Sequence, residues 1–182
     1  MRNKVKSTPN FNEMSLDILV DFLEHSNHSS LRKLIVVITN QVKYLLYLEK
    51  SHPEIILISE QLLILVKLLE KYLNMEERFF FPSIKNLIQD SEKSLKQSDN
   101  LPSNLIVKVQ NEHSKILQIL SKIRKLTVNF VPSESSNPSL KLCYAQMFNL
   151  EQDIQKYLFI AQNILFPKLT VLEKRKNSLK SI

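Results

Sequence analysis

The chain has 182 residues, with Lys+Arg 25 against Asp+Glu 18, one Cys, seven Pro, no Trp and no Gly. At ordinary usage such a chain carries about a dozen glycines, the residue that lets tight hairpins, phosphate loops and nucleophile elbows reach positive φ. The composition therefore excludes P-loop, GxGxxG and GxSxG chemistry and argues against a sheet-rich fold.

The formal net charge of +7 sits at the two ends. Residues 1–6 supply +3 and residues 168–182 supply +4, leaving 17 basic and 17 acidic residues over 7–167. No basic nucleic-acid face is indicated on the body. The lone Cys143 makes no internal disulfide, and the start Met1-Arg2-Asn3-Lys4-Val5-Lys6 has no apolar signal stretch, so the expected compartment is cytoplasmic. The most apolar window, residues 55–69, is broken by Ser59, Glu60, Gln61 and Lys67. It falls short of a membrane span and reads as a core helix.

In chain order, helical periodicity is expected over about 16–50, 53–88, 102–129 and 139–174, divided by Ser, Pro, Asn and Asp clusters that punctuate a glycine-free chain. Pro53 and Pro102 fall near helix starts, and His52 precedes one. The run Val131-Pro132-Ser133-Glu134-Ser135-Ser136-Asn137-Pro138 reads as a loop. The fold class expected is all-α, an up-and-down four-helix bundle over residues 16–174, with basic tails at 1–15 and 175–182.

One seam of alternating four- and three-residue steps threads each helix. The first runs through Glu24, His28, Leu31, Ile35, Ile38, Val42 and Leu45, and the second through Ile58, Leu62, Leu65, Leu69, Tyr72, Glu76 and Phe79. The third holds Ile106, Val109, His113, Ile116, Leu120, Ile123 and Thr127; the fourth holds Met147, Leu150, Ile154, Tyr157, Ala161 and Ile164. Counting residues to the connecting turns at about 1.5 Å each puts His28, Tyr72, Glu76, His113 and Tyr157 at one height. A lone core carboxylate is costly, so Glu76 needs partners. Two histidines and two tyrosines supply them, either as a hydrogen-bonded cluster or as ligands of a metal.

At these residues the sequence resembles a known family. The block Tyr72-Leu-Asn-Met-Glu76-Glu77-Arg78-Phe79-Phe80-Phe81-Pro82 resembles the HxxxEExxLFP block of hemerythrin-like proteins of the di-iron, iron–sulfur cluster repair type. Glu112-His113-Ser114 is similar to their EHD block and Asn163-Ile164-Leu165-Phe166-Pro167 to their NxLFP. Weaker matches are His28-Ser-Ser-Leu31-Arg32, Ser51-His52-Pro53-Glu54 and Ile123-Arg124-Lys125-Leu126-Thr127. Order and spacing hold over about 17–173.

The resemblance implies a four-helix bundle holding two irons through four histidines and two glutamates, and repair of iron–sulfur clusters after oxidative or nitrosative damage. His28, Glu76 and His113 stand at family ligand positions. Tyr72 and Tyr157 replace histidines, and Ala161 replaces the second glutamate. Fewer than twenty residues precede the bundle in this sequence, so a counterpart of that family's cysteine-containing N-terminal domain is not expected in it.

The leading expectation is thus a divergent binding or regulatory module without catalysis and without the di-iron site. The alternative keeps a single non-haem iron on His28, Glu76 and His113 for a stress response, with His25 as a substitute ligand or a surface histidine. A third reading is an adaptor whose basic tails dock on an acidic partner. The partner is an unidentified protein or a second copy of the chain, with no transmembrane segment and no nucleic acid. Phe79-Phe80-Phe81 is expected to end a helix and plug the bundle, and Cys143 to pack in the core.

Overall fold

The computed structural model describes residues 9–48, 53–92 and 103–180. Among these residues every regular element is helical: α1 (Leu16–Phe22), α2 (His28–Leu48), α3 (Pro53–Met75), α4 (Phe81–Glu92), α5 (Ser103–Leu126), α6 (Pro138–Ile160) and α7 (Phe166–Lys180). Three π turns fuse them into four long rods. Leu23–Asn27 joins α1 to α2, Glu76–Phe80 joins α3 to α4, and Ala161–Leu165 joins α6 to α7. His52 and the basic residues Arg2, Lys4 and Lys6 lie outside the described residues. No helix among those described is long and apolar enough to cross a membrane.

The π turns rotate the core seam. In each, a backbone N–H reaches five residues back: His28 to Leu23, Phe81 to Glu76 and Phe166 to Ala161. One extra residue per turn moves the buried face by one position. The seam expected through Glu24 therefore passes through Leu19, Val20 and Leu23, and the seam expected through Phe79 passes through Phe80, Phe81, Ile84 and Leu87. Phe79 itself is 61% exposed. Phe79-Phe80-Phe81 does not end the rod, because α4 continues to Glu92.

Proline explains the position of two of these turns. Pro82 and Pro167 each follow the residue that closes a π turn. A proline inside a helix lacks the N–H for the bond four residues back, and its ring collides with that carbonyl. A widened turn just ahead of it relieves the conflict and lets the rod run on.

The rods pack α2 on α3, α3 on α5 and α2 on α6, with α4 against α1 and α7. A single cluster of buried side chains runs through all four. Of the segment read as an N-terminal tail, Phe11 and Met14 pack against this core. Phe11 sits 5.1 Å from Phe22, and Lys168 Nζ donates to the carbonyls of Asn12 and Met14 at 3.0 and 2.7 Å. The rod is helical to Lys180, past the expected boundary at 174, and Lys176 is buried with Nζ 3.8 Å from Asp90.

The turn after α5 carries the backbone strain. Val128, Asn129 and Phe130 have φ of 48, 61 and 62°. The left-handed conformation costs an L-residue roughly 1–2 kcal/mol; Asn129 is of a type that tolerates it, and the cost falls on Val128 and Phe130. Thr127 Oγ1 stabilises the turn by accepting the Phe130 N–H at 3.1 Å, and Phe130 is buried under Arg124. Val128 is 66% exposed and makes little packing contribution. Val128→Gly is therefore expected to raise stability by about 0.5–1 kcal/mol after the entropy of glycine in the unfolded chain is subtracted. A shift of the urea midpoint at unchanged slope measures it.

Candidate functional site: a polar layer in the helical core

The π turns place the polar residues. His28 is the first residue after the first turn, Glu76 opens the second and Ala161 opens the third. Tyr72 and Tyr157 lie four residues before Glu76 and Ala161, one helical turn away on the same face. His113 comes from the regular helix α5. All six residues are buried.

The layer is one connected chain of hydrogen bonds. His113 Nε2 lies 2.6 Å from Tyr72 Oη, which donates to Tyr157 Oη at 3.4 Å. Tyr157 Oη donates in turn to Glu76 Oε2 through a short contact. His28 Nε2 lies 3.1 Å from that same oxygen and 3.4 Å from Tyr157 Oη. The other His28 nitrogen, Nδ1, lies 2.9 Å from Glu77 Oε1. At the surface Arg32 donates to both Glu77 oxygens and to Asn74 Oδ1, each at 3.0 Å.

One run of protons satisfies the inner half of this chain. With its proton on Nε2, neutral His113 donates to Tyr72, Tyr72 donates to Tyr157, and Tyr157 donates to Glu76. The proton between His28 and Glu76 closes it. The electrostatics favour that state. Burial, together with the nearby Glu76 charge, holds the Tyr72 and Tyr157 hydroxyls well above the usual phenol range. Burial pushes His113 below the ordinary histidine value against an opposing pull from Glu76. At Glu77 burial raises the carboxyl, but hydrogen bonds from His28 and Arg32 outweigh it and the net shift is downward.

Aromatic rings seal the layer. Phe81 lies 5.3 Å from the His28 ring, and Phe166 stacks on His113 at 5.9 Å with 14° between the planes. Two atoms lack a protein partner, Glu76 Oε1 and His113 Nδ1. Each is a demand of the kind that one buried water meets.

These residues do not fit a two-iron group. The carboxylate expected opposite Glu76 is Ala161, and hydroxyls of Tyr72 and Tyr157 stand between Glu76 and His113. Glu76 Oε2 and the Nε2 atoms of His28 and His113 are already engaged in hydrogen bonds within the layer. Among the described residues, the group of three whose ligand atoms lie within 4.8 Å of one another is instead Asp21, Glu24 and His25. His25 is exposed there rather than in the layer, and Lys85 Nζ pairs with Asp21 at 2.9 Å and with Glu24 at 2.7 Å. Cys143 is buried, and burial pushes its thiol up to about 12. It stays protonated at neutral pH and is no nucleophile.

Sequence reasoning reaches the five core polar residues but not the outer half of the chain. Glu77 is adjacent to Glu76, and in a regular helix adjacent residues diverge by about 100°. In the π turn both carboxylates reach the two sides of one imidazole. The second rod's Pro82 was the available signal for that turn.

Compared with known proteins, the chain matches no family model and no curated protein.

Proposed function

We propose that the chain is an up-and-down four-helix bundle of the hemerythrin-like type in which hydrogen bonds have replaced the di-iron site. It acts as a binding or regulatory module related to the iron–sulfur cluster repair proteins, not as an iron enzyme. The observation that carries this reading is the pair of tyrosine hydroxyls linking His113 to Glu76 at the positions where the resembled family has histidine ligands. Hydroxyls that satisfy His113 and Glu76, two of the three remaining ligand residues, leave the layer to hold the rods together. A buried polar network of this kind favours one helix register over its neighbours.

Restoring the missing donors tests the reading. The triple variant Tyr72→His/Tyr157→His/Ala161→Glu, grown with added iron, is expected to hold close to two irons per chain and to show an oxo-bridge absorption band. A triple variant with unchanged helical circular dichroism that takes up no iron would count against the hemerythrin-like geometry.

A further inference from the structure

At the end of α3 and α6 opposite the polar layer, the first turns of these helices and the loop before α6 enclose a cavity of about 250 Å³. It has room for roughly eight waters at about 30 Å³ each. Its wall carries a polar group that the fold leaves without a partner. Tyr144 is 4% exposed and lines the cavity, and its hydroxyl makes no hydrogen bond among the described residues. A buried phenol ordinarily finds one. Burial pushes this phenol up to about 12 and the charge of Glu54, which lines the same cavity, adds to the rise. At neutral pH the hydroxyl is therefore a proton donor awaiting an acceptor. Three further hydroxyls line the space, with Ser133 Oγ 3.2 Å from Ser135 Oγ and 2.9 Å from Ser136 Oγ. One or two contacts each leave these groups with donor or acceptor capacity to spare.

The charge pattern selects the ligand. Among the described residues no cation lines the cavity, and the Glu54 carboxylate repels an anion. The N-terminus of α6 offers an anion little: Pro138 has no N–H, and the Leu140 N–H is already bonded to Asn137 Oδ1 at 2.8 Å. Lys141 does not line the cavity, and its ammonium donates to the Glu134 carbonyl at 3.0 Å. A divalent cation held by protein oxygens asks for more negative charge than one exposed carboxylate, and the positive end of the α6 dipole opposes it. A neutral molecule that both donates and accepts hydrogen bonds meets neither objection. We infer that this cavity binds a small neutral polyol, from glycerol up to a six-carbon cyclitol. The ligand's hydroxyls donate to Glu54 and accept from Tyr144, the serines take either role, and Ile55 and Leu140 supply the apolar wall against its C–H groups.

Amide chemical shifts of the isotope-labelled full chain, titrated with glycerol, erythritol and myo-inositol, test this. Saturable shifts centred on the loop before α6 and on its first turns are expected for at least one of them, with a Kd of about 1 mM or tighter. Tyr144→Phe removes the hydroxyl alone and is expected to raise that Kd about fivefold, and Glu54→Gln to raise it about tenfold. Helical circular dichroism stays unchanged in both, since neither side chain holds a hydrogen bond of the fold. Shifts that remain linear with all three polyols up to about 100 mM, the mark of a cavity that takes only water, overturn the proposal. So does a Kd that Tyr144→Phe leaves unchanged. Saturable shifts of the same amides with sodium phosphate or calcium chloride, and none with the polyols, would assign the cavity to an ion and overturn it too.

Discussion

His28→Ala is expected to lower the stability of the protein by about 3–5 kcal/mol. The ring is 1% exposed and both its nitrogens face carboxylates. Removing it opens a cavity against Phe81 and leaves Glu76, fully buried, with Tyr157 as its remaining partner. For a domain with about 5–15 kcal/mol in total, that is a large fraction of the whole. Glu76→Gln is the informative contrast. The amide oxygen still accepts from Tyr157, and the expense of a buried charge disappears, so stability changes by less than about 1 kcal/mol or rises. Urea unfolding of the three proteins measures both effects. A loss of several kcal/mol in Glu76→Gln would mean that the carboxylate charge itself is required.

Stability is expected to fall on both sides of neutrality, and most steeply in alkali. The folded state holds Tyr72 and Tyr157 protonated well above the usual value of 10.0, whereas the unfolded chain releases those protons near it. Above pH 10 the unfolded chain thus binds fewer protons and is favoured, by about 1.4 kcal/mol per tyrosine for each pH unit until the folded hydroxyls ionise. Tyr144, pushed up to about 12 by burial, adds to the same slope. So does Cys143, from its lower starting value of 9.0. Tyr157→Phe should flatten the slope by one proton. An unchanged slope in that variant would remove Tyr157 from the account.

On the acid side His113 contributes first. Its folded value lies below the ordinary 6.5, so the unfolded chain takes up a proton that the core does not, and stability drops as pH falls below 6.5. Glu77 follows. Its carboxyl is held below 4.5, so its contribution is complete above that value and is lost as pH falls through the folded one.

Helical period alone located most of this molecule. The seams through Ile58–Leu69, Val109–Ile123 and Met147–Ala161 are buried as the four- and three-residue steps require. Counting from the turns brought five polar residues to one height, and they are hydrogen-bonded together. Period fails where the helix itself departs from it. Glu24 and Phe79 are core positions for a regular helix, but each lies inside a π turn, where the period that sets the seam breaks. Pro82 and Pro167 mark two of the three turns in the sequence, but Leu23–Asn27 has no proline and leaves no local trace.

Long-range charge pairs were equally invisible. Glu151 is buried against Arg124, whose Nε donates to Oε1 at 3.0 Å, and the two are far apart in sequence. The pairing of Glu77 with His28 and Arg32 depends on how two rods meet, which no single helix encodes. In the left-handed run Asn129 follows the ordinary preference for that conformation, whereas Val128 and Phe130 contradict it. The run exists because buried Phe130 and the Thr127 hydroxyl bond over-determine the turn.

We propose that hydrogen bonds, not a metal, satisfy the polar layer of His28, Tyr72, Glu76, His113 and Tyr157. The most direct test is the iron content of the wild-type chain after growth with added iron and gentle desalting, read together with its visible spectrum. Less than a tenth of an equivalent per chain and no visible band are expected. One equivalent lost in Glu76→Gln, or two equivalents with an oxo-bridge band, would contradict it.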